Sequence, residues 1–240
     1  MTARRTVEVL LSRYGTTYAA EAGIRLRNTP QPLYQLLVLS DLLSARIRAS
    51  VAVAAARALF AHGMRSPDRM IGSTWQQRVD ALGEGGYRRY DERTATQLGN
   101  GAELLLVEYG GDLRRLRKEA DGDLGILRSG LRRTPGMGPA GADIFIREVQ
   151  AVWPETAPFL DGKALQGAEK LGLPASPAKL AQLAEQAEQA EQAEQAEQAE
   201  QAEQAEQAEQ ADDHGPAVLA AALVRAALDK HVVDDVAARA

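Results

Sequence analysis

Apolar residues recur three or four positions apart over most of residues 1–174, which is the spacing of one face of an α-helix. No stretch of useful length alternates between apolar and polar residues as a half-buried strand does. Short links rich in glycine and proline separate the periodic stretches. The pattern therefore predicts an all-α fold, with helices at Thr6–Arg13, Pro30–Leu43, Val51–His62, Trp75–Leu82, Arg93–Tyr109, Asp123–Arg133 and Pro139–Val152.

The helix that begins at Pro30 is apolar on most of its faces, which is typical of a buried helix. Ser50 is a candidate N-cap for the Val51–His62 helix, and Gly63 is expected to end it. Gly99 and Gly101 are expected to weaken or break the Arg93–Tyr109 helix.

Nine consecutive Ala-Glu-Gln triplets fill residues 184–210 and divide the chain. All three residue types favour helices, so we expect Ala178–Ala211 to be helical, with the triplets forming a rod roughly 40 Å long. A three-residue period carries alanine around every face, so no fixed coiled-coil seam forms. The segment is either a repeat expansion without a task or an acidic arm that masks a basic face.

This segment suggests three regions: a helical domain at residues 1–174, the repeat helix at 175–213 and a C-terminal part at 214–240. Within the last region, Ala217–Val236 is predicted to be one amphipathic helix. We expect it to dock on the main body, with binding to a partner protein as the alternative.

The composition excludes several kinds of chemistry. The chain of 240 residues has no cysteine, which excludes disulfides, thiolate zinc sites, cysteine-ligated iron–sulfur clusters and a cysteine nucleophile. The three histidines show no metal-ligand spacing, so we expect no metal and no cofactor. No apolar run approaches the ~18 residues of a membrane span, and Glu8 interrupts the apolar N-terminal stretch, unlike a signal peptide. The expected setting is the cytoplasm.

The net charge of −5 conceals a basic domain, because nine acidic residues belong to the triplets. Residues 1–174 hold 24 Lys and Arg, 21 of them Arg, against 19 Asp and Glu. The planar fork of arginine suits phosphate groups. A genome rich in G and C would also favour arginine codons, so charge alone does not assign a nucleic-acid partner.

Residues Gly136–Gly141 match the pattern G-x-G-x-x-G of dinucleotide-binding folds, but that motif must follow a β-strand. Here a predicted helix and Pro135 precede it, which favours a tight hairpin between two helices. Gly136 and Gly138 permit positive φ angles and let a phosphate approach the backbone N–H groups. Pro139 suits the first position of the next helix, whose N-terminus carries partial positive charge. An ordinary helix–helix turn is the alternative.

The segment Thr134–Ala142, TPGMGPAGA, resembles the hairpin of the helix-hairpin-helix DNA glycosylases of the endonuclease III group. Upstream, Leu36–Arg46 resembles the buried helix of that family, and Tyr109–Asp112 resembles a later turn. Downstream, Phe159–Gly162 resembles the segment that carries the catalytic aspartate. The resemblance spans roughly residues 33–173. It implies a two-lobed all-α fold with duplex DNA in the cleft and a role in base excision repair.

The resemblance places Asp161 as the carboxylate that stabilises the cationic sugar or helps to activate water. Asp161 also suits the N-cap of a helix over Lys163–Leu171, and both roles can hold together. Ala140 stands where strand-cutting members carry a nucleophilic lysine, which implies a monofunctional enzyme. Lys163 is an alternative nucleophile, although a solvated or phosphate-facing lysine is the plainer interpretation.

Asp41 falls where the adenine-specific branch carries the acid that protonates the departing base. Its alternative is structural, because Tyr34, Asp41 and Arg48 lie seven apart and are expected to form the solvent stripe of their helix. Arg46 takes the place of a glutamine that fills the gap left by an extruded base, and a solvated arginine is its alternative.

Four aromatic residues are candidates for stacking on an extruded base or are simply part of the core: Trp75, Tyr87, Tyr90 and Trp153.

Taken together, these observations predict a monofunctional DNA N-glycosylase that acts as a monomer on double-stranded DNA near the nucleoid. The predicted catalytic residues are Asp161 and Asp41, and the predicted DNA-binding residues are Gly136, Met137, Gly138, Ala140, Gly141 and Arg46. The alternatives are a non-catalytic helix-hairpin-helix DNA-binding protein, a bifunctional enzyme that uses Lys163, and a helical scaffold for protein partners.

Overall fold

The computed structural model describes residues 2–201 and 215–240, with side chains at 2–192 and 215–240. Those ranges are helical and contain no strand, which confirms the all-α prediction. The α-helices are α1 Ala3–Tyr14, α2 Tyr18–Glu21, α3 Pro30–Ser44, α4 Ala49–Ala61, α5 Pro67–Gly72, α6 Trp75–Glu84, α7 Asp91–Tyr109, α8 Leu113–Ala120, α9 Leu124–Leu131, α10 Pro139–Val149, α11 Gly162–Lys170, α12 Pro177–Gln201, α13 Pro216–Leu228 and α14 Lys230–Arg239. No helix among the described residues is both long enough and apolar enough to cross a membrane.

The chain divides into two compact units. The hairpin unit is Tyr18–Thr156, and the terminal unit joins Met1–Thr17 to Ala157–Ala240.

Helix α3 forms the centre of the hairpin unit, where it packs against α4 and α10. Leu33, Leu36 and Leu39 are fully buried, as the apolar pattern of this helix predicts. Helices α5 and α6 pack on α7. The guanidinium of Arg78 donates hydrogen bonds to the carbonyl oxygens of Met70, Ser73 and Ala95, which joins the ends of these three helices.

Two predictions about local structure in this unit are wrong. Helix α4 begins at Ala49, so Ser50 lies inside the first turn and does not cap it. Helix α7 runs unbroken through Gly99 and Gly101. These glycines serve close packing, because a Cβ on Gly101 would lie 2.9 Å from Thr134 Cγ2 and one on Gly99 would lie 3.0 Å from the Arg78 guanidinium.

The terminal unit is built on the contact of α13 with α11. A Cβ on Gly167 would lie 1.9 Å from the carbonyl oxygen of Leu223, so the two backbones touch at this glycine. Helix α1 packs against α12, α13 and α14, and the hydroxyl of Tyr14 donates a 2.8 Å hydrogen bond to Asp235.

The C-terminal region differs from the prediction of a single amphipathic helix. The backbone of Asp229 is extended and its side chain accepts a hydrogen bond from the His231 N–H, so a new helix, α14, starts there. Helix α13 is buried on nearly every face, which confirms that the segment docks within the protein.

The repeat is helical as far as Gln201, as predicted, and residues 202–211 of the predicted helix lie outside the described residues. Leu180, Ala184 and Ala187 are buried where α12 packs on α1. The contact therefore involves the first two triplets and the residues before them.

Candidate functional site

The segment between α9 and α10 is a tight reversal that depends on one glycine. Gly136 has a φ of +94°, a conformation that residues with a side chain rarely adopt. The Met137 N–H donates a 3.0 Å hydrogen bond to the Thr134 carbonyl oxygen and closes the turn. The expectation of a positive φ therefore holds at Gly136 but is wrong at Gly138, whose φ is −81°.

Gly138 is the N-cap of α10, and Pro139 follows it at the first helical position. A Cβ on Gly138 would meet no atom within 4 Å, so neither backbone conformation nor packing requires glycine here. The open side of Gly138 instead gives an incoming group access to the start of α10, where helix N–H groups lack intrahelical acceptors.

Met137 and Gly141 fasten α10 to α3 rather than face solvent. Met137 is buried, and a Cβ on Gly141 would meet its sulfur atom. The same Cβ would lie 3.4 Å from the Cβ of Ser44 at the end of α3. Residue 137 can therefore offer only its backbone to a ligand, whereas Ala140 is exposed on the first turn of α10.

Asp41 is only 9% exposed, so the expected solvent stripe on α3 is wrong. Of its three expected members, Tyr34 is also buried and only Arg48 is exposed. The face that carries Tyr34 and Asp41 lines a pocket with α7 and the hairpin loop, and both side chains are buried there.

The Asp41 carboxyl group faces the hairpin. Its Oδ1 lies 2.9 Å from the point where a Cβ of Gly136 would stand, and the Gln97 Oε1 lies 3.1 Å from the same point. No side chain or N–H among the described residues donates a hydrogen bond to this carboxyl group. Burial raises the pKa of Asp41 to about 7, and the positive charge of Arg93 opposes that rise. The group therefore changes its protonation state near neutral pH.

The pocket beside Asp41 is small, with a volume of ≈ 20 Å³. It lies between α3, α7 and the loop of Thr134, Pro135 and Met137. Tyr34 lines it, and its buried hydroxyl has no hydrogen-bond partner within the described part of the chain. Such a volume holds about one water molecule.

Several exposed arginines of the hairpin unit form no ion pair with any described acidic side chain: Arg46, Arg48, Arg88, Arg93 and Arg132. Arg46 follows two residues after Ser44, which touches the start of α10. Arg93 lowers the pKa of Asp41, and Arg132 is the C-cap of α9, two residues before Thr134 in the hairpin loop. An arginine without an acidic partner is available to contact phosphate groups.

Asp161 belongs to the terminal unit, where it is the N-cap of α11. Its Oδ1 accepts hydrogen bonds from the N–H groups of Lys163 at 3.0 Å and Ala164 at 2.9 Å, which confirms the capping role. The residue is 8% exposed. Lys163 is exposed, and its ammonium group donates to the Gln166 side chain at 3.1 Å.

The four aromatic candidates differ in accessibility. Trp153 is fully buried, packs edge-on against Phe145 and donates to the Asn28 side chain, so it belongs to the core. Tyr87 is also buried. Trp75 is 41% exposed and Tyr90 is half-buried, so these two remain accessible for stacking.

Gln97 is a neighbour of the hairpin that the sequence did not predict, because nothing in the local pattern of α7 sets it apart from the other polar residues of that helix. Asp41 and the hairpin lie far apart in the sequence, and the fold brings them into contact within the hairpin unit. No group of three or more acidic or histidine side chains among the described residues could hold a metal ion.

No family model, curated protein or solved structure matches this chain.

Proposed function

We propose that this protein is a monofunctional DNA N-glycosylase that removes a damaged or mispaired base from duplex DNA in base excision repair. It would have the two-lobed fold of the endonuclease III-like enzymes and act as a monomer on DNA in the cytoplasm. The single observation that carries the proposal is the buried carboxyl group of Asp41 against the hairpin glycine Gly136.

The DNA backbone binds at the hairpin in this proposal. A phosphate approaches the open side of Gly138 and accepts hydrogen bonds from the first N–H groups of α10. The unpaired arginines, including Arg46, Arg93 and Arg132, attract the DNA backbone whatever the base sequence of the DNA. Arg46 is also the proposed residue that fills the gap left by the extruded base.

Departure of a base from its sugar is assisted by a proton donor, because the base leaves with the electron pair of the glycosidic bond. A carboxyl group with a pKa of about 7 keeps a proton for a large fraction of the time at neutral pH. Asp41 is the group that supplies this proton in the proposal.

Asp161 supplies the second carboxylate, which stabilises the positive charge that develops on the sugar. Its two backbone hydrogen bonds fix the orientation of the side chain. Water then forms the new bond to C1′ of the sugar and releases a proton to solvent, while the C1′–N bond breaks and the base leaves with the proton from Asp41. Ala140, on the first turn of α10, has no amine to attack the sugar, so we expect an intact strand with an abasic site.

A base-release assay tests the proposal. Duplexes that contain alkylated, oxidised, deaminated or mispaired bases are incubated with the full chain, and free base and strand breaks are measured separately. We expect release from at least one duplex, strong loss in Asp161→Asn and Asp41→Asn, and wild-type release in Asp80→Asn, which alters an exposed carboxylate on α6. Borohydride trapping is expected to give no adduct, whereas an adduct lost in Lys163→Ala would establish the bifunctional alternative.

The second candidate function is that of a non-catalytic helix-hairpin-helix DNA-binding protein. The small pocket favours it, since ≈ 20 Å³ is far less than an extruded base needs. Binding to every duplex in the panel without release of any base would support this candidate and overturn the enzymatic proposal.

A further inference from the structure

Gly136 separates two environments. On one side, the place of its missing side chain is occupied by the Asp41 carboxyl group and the Gln97 amide. On the other side the residue is exposed, in the same loop as Gly138, where we propose that a DNA phosphate binds. The loop that would hold an anion and the buried carboxyl group of Asp41 therefore meet at Gly136.

Few groups compensate the charge of Asp41. Arg93 on α7 opposes the rise in the pKa of Asp41, and Asp41 in turn raises the pKa of Tyr87 in the segment before α7. Helices α4, α8 and α10 also pack against α3. Among their described residues, no charged group changes the pKa of Asp41. No hydrogen-bond donor within the described part of the chain stabilises the carboxylate form.

We infer that Asp41 takes up a proton from solution when the hairpin binds a DNA phosphate, so that DNA binding and protonation of Asp41 are thermodynamically linked. The inference rests on the proposed function and adds a form of regulation to the same site. It follows from like-charge repulsion, because a phosphate at the hairpin loop disfavours the carboxylate of Asp41 and leaves the neutral acid unaffected.

The size of the effect follows from Coulomb's law. At an effective dielectric constant of about 20, a second negative charge within about 10 Å raises the pKa of a carboxyl group by about one unit or more. Linkage is reciprocal, so DNA must also bind about tenfold or more tightly when Asp41 is protonated than when it is ionised.

This linkage has a consequence for the chemistry. In free protein near neutral pH, the Asp41 carboxyl group exchanges its proton with solvent and is partly ionised. In the DNA complex the neutral acid predominates, so the proton is present when a base has to leave. Binding of the backbone thereby prepares the acid for the reaction.

Isothermal titration calorimetry of the full chain with an undamaged duplex tests the inference. Titrations at pH 7.5 are repeated in buffers with different ionisation enthalpies, and the slope of the observed enthalpy gives the number of protons taken up. We expect the uptake of about half a proton or more per complex in the wild type. Asp41→Asn is expected to bind DNA with that uptake abolished, and Asp80→Asn to retain it.

Two results would overturn the inference and are distinguishable. Binding with no proton uptake, or with the same uptake in Asp41→Asn, would refute the linkage and leave the proposed function standing. An absence of DNA binding, checked by fluorescence anisotropy at low salt, would refute the linkage together with the proposed function. Carbon NMR of the Asp41 carboxyl group gives a second measurement that needs no variant, since its titration midpoint must rise when DNA is added.

Discussion

Asp41 Oδ1 lies 2.9 Å from the point where a β-carbon on Gly136 would stand, so a buried acid and the apex of the hairpin share one small space. This relationship joins the middle of α3 to the loop between α9 and α10. A protein core has no structural need for a carboxyl group without a hydrogen-bond donor, since replacement by a neutral side chain would favour folding. Its position therefore points to a use in binding or chemistry.

The stability of the protein should depend on pH through Asp41. The ordinary pKa of aspartate, 3.8, applies to the unfolded chain, and the folded value is about 7. Between these values the folded state holds more protons than the unfolded state. The free energy of unfolding therefore falls as pH rises from about 4 to 7, and the loss is complete above pH 7.

Asp41→Asn should abolish this dependence and stabilise the protein above pH 7 by a few kcal/mol, with about 4 as an upper bound. The gain should shrink as pH falls toward 4. Urea denaturation of both proteins at pH 5, 7 and 8.5 measures it, with Asp80→Asn as the control. If the free energies of unfolding of the wild type and Asp41→Asn differed by the same amount at all three pH values, the buried environment assigned to Asp41 would be wrong.

Gly136→Ala should destabilise the fold by about 2 kcal/mol or more, because alanine is strained at positive φ and its methyl group would meet Asp41 and Gln97. Gly138→Ala is the matched variant in the same loop and should change stability by less than about 1 kcal/mol, since its φ is ordinary and its surroundings are open. Chemical denaturation measures both. Equal effects at the two positions would show that the loop has a different conformation.

Gly138→Ala should nevertheless weaken DNA binding about tenfold, because one lost charge-assisted hydrogen bond is equivalent to a factor of this order. Its methyl group would stand where a phosphate must approach. Gly72→Ala on α5, where an added Cβ also meets nothing within 4 Å, should leave DNA affinity unchanged. Fluorescence anisotropy with a labelled duplex compares the two, and unchanged affinity in Gly138→Ala would remove the hairpin from the binding surface.

Asp161 allows its structural role to be separated from its proposed chemical role. Asparagine caps a helix about as well as aspartate, whereas alanine costs about 1 kcal/mol. Asp161→Asn should therefore unfold at nearly the wild-type urea concentration while losing base release, and Asp161→Ala should lose both stability and release. Full base release by Asp161→Asn would reduce this residue to a helix cap.

The sequence predicted those parts of the fold that depend on local pattern. The dense apolar run of α3 indicates burial by itself, and Asp161 precedes its helix as an N-cap does. Gly136 was identified for the right conformational reason, because a tight reversal between two helices needs positive φ.

The remaining features depend on contacts between distant segments. The sequence left Asp41 either as a buried acid or as part of a solvent stripe, and the stripe was favoured because the surroundings of Asp41 on α3 do not show that the hairpin loop covers it. Gly101 was expected to break α7. The structure shows instead that glycine is needed there because Thr134 packs against it. The end of α13 at Asp229 was not predicted, because the apolar pattern continues past it. The side chain of Asp229 accepts a hydrogen bond from the His231 N–H and starts a new helix there.

The pH dependence of base release in single-turnover conditions tests the central claim most directly. With a duplex substrate identified in the panel and enzyme in excess, the wild-type rate should fall as pH rises above the range in which Asp41 keeps its proton. Asp41→Asn should be about a hundredfold slower or more at pH 7 and should lack that dependence. Release by Asp41→Asn at the wild-type rate and with the wild-type pH profile would contradict the assignment of this acid.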